Sequence, residues 1–470
     1  MGHCGDMAAK ALRVFRRNKL PGEAEAPMNA VLVGPGQMER AFEFVLDQKG
    51  KWTGGGTTTL CVDPTQVIEV MAEGCEPGVQ ADLVVETTVR RFFNIADVGN
   101  DAKAQDTLPL MMDRCRVMTS PVIGITPLAT TDGIMYGDGY SFDSGDESRW
   151  IADVQAFAAP IVANNRIGPE LGFPQDLGQP AYTAIKARGA NSVRRVRPIL
   201  LQIDKLPSDI ARRGVGIVQV PHLDSVGPMD GQRAPTAAQG GNIECLPKPG
   251  DPSLRPFTWV RFGSSTTSTD FDRFFEKRCF PRRMTIMPIG SLPLSHIDEA
   301  LAVVPTSNGF KLCVADLEGA KTLIQGNVTF EKFQDGSSAI DVRREYADAG
   351  GPAAVTAIDQ SLTALVTTLR DLGYPDADIL RLPVLIKPNT GGRNGVYQPN
   401  GVNLQSIGGK VAVPNPFCAP IRDRIQQILK TAGVPPFSKP FLDTWGPHQR
   451  LGNIHCATLL FLVHIPEGLP

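Results

Sequence analysis

The sequence predicts a mixed α/β fold preceded by a short β-rich segment. Three observations carry that expectation. The first 115 or so residues hold only short apolar or alternating runs, whereas helical stripes and strands mix from residue 116 onward. Glycine (47) and proline (39) are abundant in the 470 residues, which argues for many turns and short elements. No Walker sequence and no GxGxxG lies between a strand and a helix, so nothing points to a nucleotide-binding fold.

In chain order, Ala30-Val-Leu-Val33, Thr59-Leu-Cys-Val62 and Ala81-Asp-Leu-Val-Val-Glu86 read as strands, separated by stretches such as Gly54-Gly-Gly-Thr57. Residues 167 to 241 include a basic run, Ala187 to Arg197, and a loop-like stretch, Gly227 to Gly241. Phe310 to Val314 reads as a strand that enters a helix over Leu317 to Ile324. Apolar residues at 362, 365, 366, 369 and 372 form a helical stripe from Asp359 to Leu372, stopped by Gly373. Pro383-Val-Leu-Ile386 reads as a buried strand. Pro420 to Lys430 reads as an amphipathic helix with an early proline and Gly433 as its stop. The length suits two to three domains, or one large catalytic domain with an appendage.

The formal net charge of −2 recommends neither nucleic acid nor an acidic membrane as partner. The most apolar window, Leu459 to Val463, is far shorter than the ~20 residues a membrane helix needs. The N-terminus, Met-Gly-His-Cys-Gly-Asp, shows no apolar core of a signal peptide, and Asp6 stands where a myristoylation motif has Ser or Thr. The nine cysteines are dispersed, with no CxxC pair and no zinc spacing. An odd, scattered set fits reduced thiols and a cytoplasmic protein.

Chemistry concentrates in three places. Arg450-Leu-Gly-Asn-Ile-His455-Cys456-Ala-Thr458 sets a cysteine in a polar turn that opens into an apolar strand. Leu294-Ser-His296-Ile-Asp298-Glu-Ala supplies an imidazole and a carboxylate, which an extended backbone would place on one face. Arg149-Trp-Ile-Ala-Asp153 supplies a second carboxylate. A thiol, an imidazole and two carboxylates suit a cationic substrate, and a planar guanidinium can be held by paired hydrogen bonds. Each residue has a plainer alternative: Cys456 as inert core, His296 as a satisfied buried histidine, Asp298 and Asp153 as turn residues, Trp150 as core and Arg450 as a solvated charge. His455 and His448 read either as structural or as supports behind the catalytic groups.

These segments, with others in the same order, resemble the catalytic domain of the protein-arginine deiminases. The others are Asn242-Ile-Glu244 with Pro247, Val304-Pro305, Pro399-Asn-Gly-Val-Asn403 and Val413-Pro-Asn-Pro-Phe417. The resemblance covers residues 116 to 470 and implies a five-bladed α/β propeller. Residues 1 to 115 would then be a β-rich segment or degraded β-sandwich. It implies Cys456 as nucleophile, His296 as proton carrier, and Asp298 with Asp153 as clamps on the guanidinium. Trp150 would wall the substrate's aliphatic part. Arg450 and Arg166 would grip a peptide backbone, Arg194 and Arg195 competing with Arg166. The implied reaction turns peptidyl-arginine into peptidyl-citrulline, so arginine-bearing proteins are the implied partners. Calcium is the family's implied cofactor. Here Ala152, Val154 and Ala156 flank Asp153 where oxygen ligands are needed, and only Glu244 has a clear counterpart in the ligand set. Ala163-Asn164 and Leu451 also depart from the family pattern. Activity without calcium is therefore the expectation. A deiminase of free agmatine or arginine, and a decayed relative that only binds arginine, remain open beside this reading; a Cys/His protease fits less well.

Overall fold

The computed structural model describes residues 11–16, 39–46, 52–53, 68–73, 80–91, 106–118, 122–139, 144–162, 167–186, 194–202, 216–219, 240–251, 255–263, 272, 275–276, 279–288, 290, 292–294, 296–326, 328–332, 338–348, 350–388, 395–435 and 441–462. The chain forms two compact units. One comprises Met1–Pro121, Ala184–Arg195 and Val226–Arg233, and the other Val122–Thr183, Val196–Ser225 and Ala234–Pro470.

In the first unit, Ala11–Arg16 sits between Glu39–Leu46 and Ile68–Glu73, with Trp52–Thr53 beyond Glu39–Leu46, all antiparallel. Gln80–Arg91 pairs separately with Asp106–Met118. The expected strand at Ala81 to Glu86 lies inside Gln80–Arg91. Those at Ala30 to Val33 and Thr59 to Val62 lie outside the described residues.

Elsewhere five sheets repeat one topology: a central strand with an antiparallel neighbour on one side and a parallel neighbour on the other. Val122–Gly124 is flanked by Gly178–Lys186 and Cys279–Phe280, and Pro256–Gly263 by Glu244–Pro247 and Met284–Pro288. Gly309–Asp316 is flanked by Leu301–Thr306 and Ile379–Pro383, and Lys410–Pro414 by Gln405–Ile407 and Phe441–Leu442. Thr131–Asp138 is flanked by Thr458–Leu462 and Ile167–Leu171. In each set the antiparallel neighbour is named first. Arg194–Gln202 and Gly216–Gln219 extend the first sheet. Thr458–Leu462, the last described strand, pairs with Thr131–Asp138 and so ties the late chain to the early part of its unit. The class is mixed α/β, since helices cover these sheets.

Local sequence explains the elements. The stripe at 362 to 372 lies on the helix Gly351–Asp371, which buries Val355, Ile358, Leu362, Leu365, Val366 and Leu369. That helix starts earlier than its stripe because Pro352 is tolerated in a first turn, whose N–H groups need no intrahelical partner. It stops before Gly373, at φ +96°, which a side chain would resist. Asp316 caps the helix Leu317–Leu323 by accepting from Gly319 N at 3.0 Å. The helix Ala419–Thr431 buries Ile421, Ile425 and Leu429. The strand expected at Pro383 to Ile386 is displaced: it spans Ile379–Pro383. Proline lacks the N–H that a ladder needs, so the strand ends there, and Val384 to Ile386 run on buried as irregular chain.

A large apolar core runs through Leu312, Val314, Leu365, Val413 and Ile425. A smaller one gathers Ile243, Trp259 and Phe275, whose rings meet edge to face with centroids 4.9 Å apart. Beside it Arg261 grips Asp272 through Nε and Nη2, each 2.6 Å from a carboxylate oxygen, with both residues buried. Asp272→Ala strands a buried guanidinium and should cost about 3–5 kcal/mol, read as the loss in denaturation midpoint. Replacing both partners by apolar residues of similar volume should recover most of it.

Candidate active site

Each of the five repeated sheets contributes one short connection, the one that enters its antiparallel strand. They are the turn Pro174–Leu177, the turn Gly240–Asn242, the turn Ile297–Glu299, the loop from Asn400 to Asn403, and the turn from Asn453 to Ala457. The connections touch in a closed ring. Gln175 N donates to Cys456 O at 3.3 Å. Gly240 packs so closely on Gln175 O that a Cβ has no room there. A Cβ on Gly241 would lie 2.8 Å from His296 Nδ1 and 3.0 Å from Asp298 Oδ2. Asn403 Nδ2 donates to Asp298 O at 3.4 Å, and His455 N donates to Asn403 Oδ1 at 3.0 Å.

Cys456 lies where the turn after the helix Trp445–Gln449 opens into Thr458–Leu462. Gly452 permits the approach: a side chain there would strike Phe173 and come within 2.9 Å of Cys456 Cβ. Cys456 Sγ donates to Asp298 Oδ2 at 3.3 Å and accepts from Asn403 Nδ2 at 3.2 Å. Burial pushes the thiols of Cys245 and Cys313 well up and that of Cys418 up to about 11.

His296 and Asp298 do not sit on an extended strand, as the sequence suggested. His296 is extended at φ −121°, but Ile297–Glu299 winds into a single turn of 3-10 helix. Glu299 closes that turn by accepting from His296 N at 3.0 Å. Asn242 anchors it by accepting from Ile297 N at 3.1 Å and from Phe262 N at 2.9 Å. Winding gives the same convergence: ring nitrogen, carboxylate oxygen and sulfur of His296, Asp298 and Cys456 all lie within 4.8 Å of one another. The three are 9%, 1% and 5% exposed, so they meet almost out of water. Asp298 Oδ1 is buried and accepts no hydrogen bond. An orphaned carboxylate oxygen beside a thiol and an imidazole is suited to receive an N–H donor, most strongly a cationic one.

Two residues that sequence reasoning left without a definite role complete the site. Asn403 is wholly buried and touches both Cys456 and Asp298. Its only sequence signal is the Pro399-Asn-Gly-Val-Asn403 run. His455, read as structural or supporting, lies between two buried carboxylates: Nδ1 is 2.8 Å from Asp298 Oδ2, and Nε2 is 2.7 Å from Glu244 Oε1. Burial alone would lower its pKa. The charge of Glu244 and the hydrogen bonds and charge of its two carboxylate neighbours outweigh that and raise it to about 10. His455 is therefore an imidazolium at neutral pH, hydrogen-bonded to Asp298 through Nδ1 and ion-paired with Glu244 through Nε2.

The remaining sequence-derived candidates stand elsewhere. Asp153, half-buried on the helix Ser144–Ala158, accepts from Asp443 N at 2.9 Å and is not part of the His296–Asp298–Cys456 trio. Trp150 is fully buried on that helix and donates from Nε1 to Gly137 O at 2.8 Å, which makes it core here. Arg450 is exposed just past the helix Trp445–Gln449. Arg166 lies outside the described residues, and Arg194 and Arg195 begin a strand. Glu244 is buried and faces His455, with Oε1 2.7 Å from the ring's Nε2. Calcium does not fit these residues. Ala152, Val154 and Ala156 offer no side-chain oxygen, which leaves Glu244 as the one oxygen-bearing residue of the implied set, too few for a cation that takes about six to eight oxygens.

No protein-family model matches the chain, and no curated protein matches it. Similar solved structures include an agmatine deiminase of C. jejuni (12% identity, 74% of this chain and 98% of that chain, TM-score 0.43). An agmatine deiminase of Enterococcus faecalis is similar at 10% identity over 73% of this chain and 98% of that one, with TM-score 0.45. A protein provisionally assigned as a peptidyl-arginine deiminase is similar at 12% identity over 74% and 100%, with TM-score 0.45.

The His455 bridge gives stability a definite pH dependence. Its folded pKa is raised from 6.5 to about 10, so the stability it contributes is complete below 6.5 and is lost as pH rises through about 10. Wild type should therefore exceed His455→Gln in denaturation midpoint most at pH 6.5 and below, and the gap should narrow toward pH 10. A gap that widens with pH contradicts the bridge.

Proposed function

We propose that the chain hydrolyses a C–N bond of a guanidinium group, turning peptidyl-arginine into peptidyl-citrulline with release of ammonia. The observation that carries this reading is the partnerless Oδ1 of Asp298, on a buried carboxylate that converges with the Cys456 thiol and the His296 ring. A guanidinium N–H supplies the missing donor, and its charge offsets a carboxylate that water does not reach. We also read the five repeated sheets as the five blades of an α/β propeller, the site connections meeting at its centre.

The reaction balances as follows. The Cys456 thiolate adds to the guanidinium carbon, forming a C–S bond and a tetrahedral adduct. His296 gives a proton to one nitrogen, ammonia leaves, and a thiouronium ester remains on Cys456. A water molecule then gives one proton to His296 and adds to the same carbon, and the adduct expels the thiolate. The product's hydroxyl proton passes to solvent, where the released ammonia takes it up as ammonium, and substrate leaves as a urea. Asn403 Nδ2 donates into the sulfur and so favours the thiolate, both before attack and as leaving group. The Asp298 carboxylate orients the planar cation and stabilises the positive charge that returns when His296 protonates the leaving nitrogen and that the thiouronium then carries. Asp153 belongs to this mechanism only if substrate draws its carboxylate from Asp443 N, and Trp150 only if its ring becomes accessible.

For a peptide substrate, the exposed Arg450 stands on the segment leading to Cys456 and offers donors to backbone carbonyls. A small free guanidine is the second reading, favoured by the near-complete burial of His296, Asp298 and Cys456. Ammonia release from a blocked arginine amide, free arginine and agmatine separates the two. Peptidyl turnover should exceed both others in kcat/KM, Cys456→Ser should abolish it, and a calcium chelator should leave it unchanged. Preference for agmatine moves the substrate to the second reading. No ammonia from any of the three overturns deimination, and a many-fold rise on adding calcium overturns the calcium-free site.

A further inference from the structure

We infer that His455 is a positioning residue: bridging Glu244 and Asp298, its ring fixes the Asp298 carboxylate with one oxygen turned to Cys456 and the other left for substrate. The substrate part of this rests on the deimination proposed above. The bridge itself does not.

Four observations converge on it. First, both flanking carboxylates are buried, Glu244 at 3% and Asp298 at 1% exposed. Two such charges require compensation in place, because neither can be solvated. Second, the ring meets them from its two opposite nitrogens, at 2.7 and 2.8 Å, so a single planar cation offsets both charges, by a hydrogen bond to Asp298 Oδ2 and an ion pair with Glu244 Oε1. A neutral imidazole has one donor and would turn a lone pair toward one of the carboxylates. Third, the ring cannot leave easily. His455 N is held by Asn403 Oδ1 at 3.0 Å, and Thr458 N closes the turn on His455 O at 3.1 Å. Fourth, the two oxygens of Asp298 are unequal. Oδ2 serves both His455 Nδ1 and Cys456 Sγ, while Oδ1 serves nothing. Rotating the carboxylate would break both contacts at once.

The titratable groups that face the ring are therefore Glu244 from the strand Glu244–Pro247 and Asp298 from the turn Ile297–Glu299. Cys456 and His296 lie beyond Asp298. Glu244 acts through two intermediaries: it aims the ring, and the ring aims Asp298. This gives Glu244 a use for which the chain needs no metal ion. It also has a kinetic consequence. A guanidinium approaching Asp298 shares that carboxylate with a resident cation, which restricts it to Oδ1 and weakens ground-state binding. Removing the resident cation frees Oδ2, and the substrate can then take both oxygens in a tighter but misaligned grip.

The test uses His455→Gln and Glu244→Gln in the full chain, with two independent readouts. The first is steady-state kinetics on whichever guanidine substrate is turned over. His455→Gln should lose on the order of 100-fold in kcat, the scale of a small misplacement of reacting groups, while KM stays level or falls. Glu244→Gln keeps an acceptor for Nε2 and should lose less. The second readout is nitrogen NMR of protein labelled with 15N-histidine, whose six histidines are few enough to assign through the His455→Gln variant. At neutral pH the His455 ring should show both nitrogens protonated. Unchanged unfolding of His455→Gln with kcat within twofold of wild type overturns the positioning role. A His455 ring with one bare nitrogen overturns the bridge. If no guanidine substrate is turned over, the deimination reading fails, and the NMR result still decides the bridge.

Discussion

The site depends on one amide. Asn403 uses all of its hydrogen-bonding capacity, and every partner belongs to the catalytic candidates or the chain beside them. Oδ1 accepts from His455 N at 3.0 Å and from Cys456 N at 3.4 Å, while Nδ2 donates to Cys456 Sγ at 3.2 Å and to Asp298 O at 3.4 Å. No other side chain of that size offers two acceptor and two donor positions in one plane. Aspartate lacks the donors and would set a second charge beside the sulfur. Leucine would leave two backbone N–H groups and a backbone carbonyl without partners.

This amide can work only if distant parts of the chain arrive beside it, and the repeated topology delivers them. Each sheet presents the entrance to its antiparallel strand at the ring, and the pairing of Thr458–Leu462 with Thr131–Asp138 closes that set of connections. The glycines at the contacts are part of the same constraint. Gly241 keeps the wall behind His296 and Asp298 flat, and Gly452 lets Phe173 and Cys456 approach. The burial so obtained is costly for charged groups. It is tolerable because Glu244, His455 and Asp298 form an alternating row of charges, and of its unpartnered carboxylate oxygens Asp298 Oδ1 belongs to the residue that also meets the Cys456 sulfur.

The sequence shows the reactive groups more clearly than their geometry. Cys456 stands out because a polar Gly/Asn turn precedes an apolar strand, and His296 with Asp298 because the two lie two residues apart. Spacing could not reveal that this pair is carried on a 3-10 turn, because that winding is set by Asn242 from another strand's entrance. For His455 the sequence left a structural and a supporting role open for a similar reason: the choice comes from Glu244, a residue far away in the chain. Trp150 and Asp153 are adjacent in motif yet divide in space. The helix Ser144–Ala158 buries the tryptophan, while the carboxylate meets Asp443 N. Helical stripes survived translation into structure because each is local, as in Gly351–Asp371. The strand near Pro383 did not, because proline's missing N–H ends the ladder that apolar patterning alone would continue.

The most direct test of the account is where a guanidinium-like electrophile reacts. A haloacetamidine presents a planar cation to Asp298 and a displaceable halide to a thiolate. Peptide mapping by mass spectrometry after brief exposure should find Cys456 alkylated first among the nine cysteines. Its rate should exceed that of a neutral haloacetamide and fall to that level in Asp298→Asn. First labelling at Cys313 or Cys418, or equal rates for the cationic and neutral reagents at Cys456, contradicts a site built to hold a guanidinium against that sulfur.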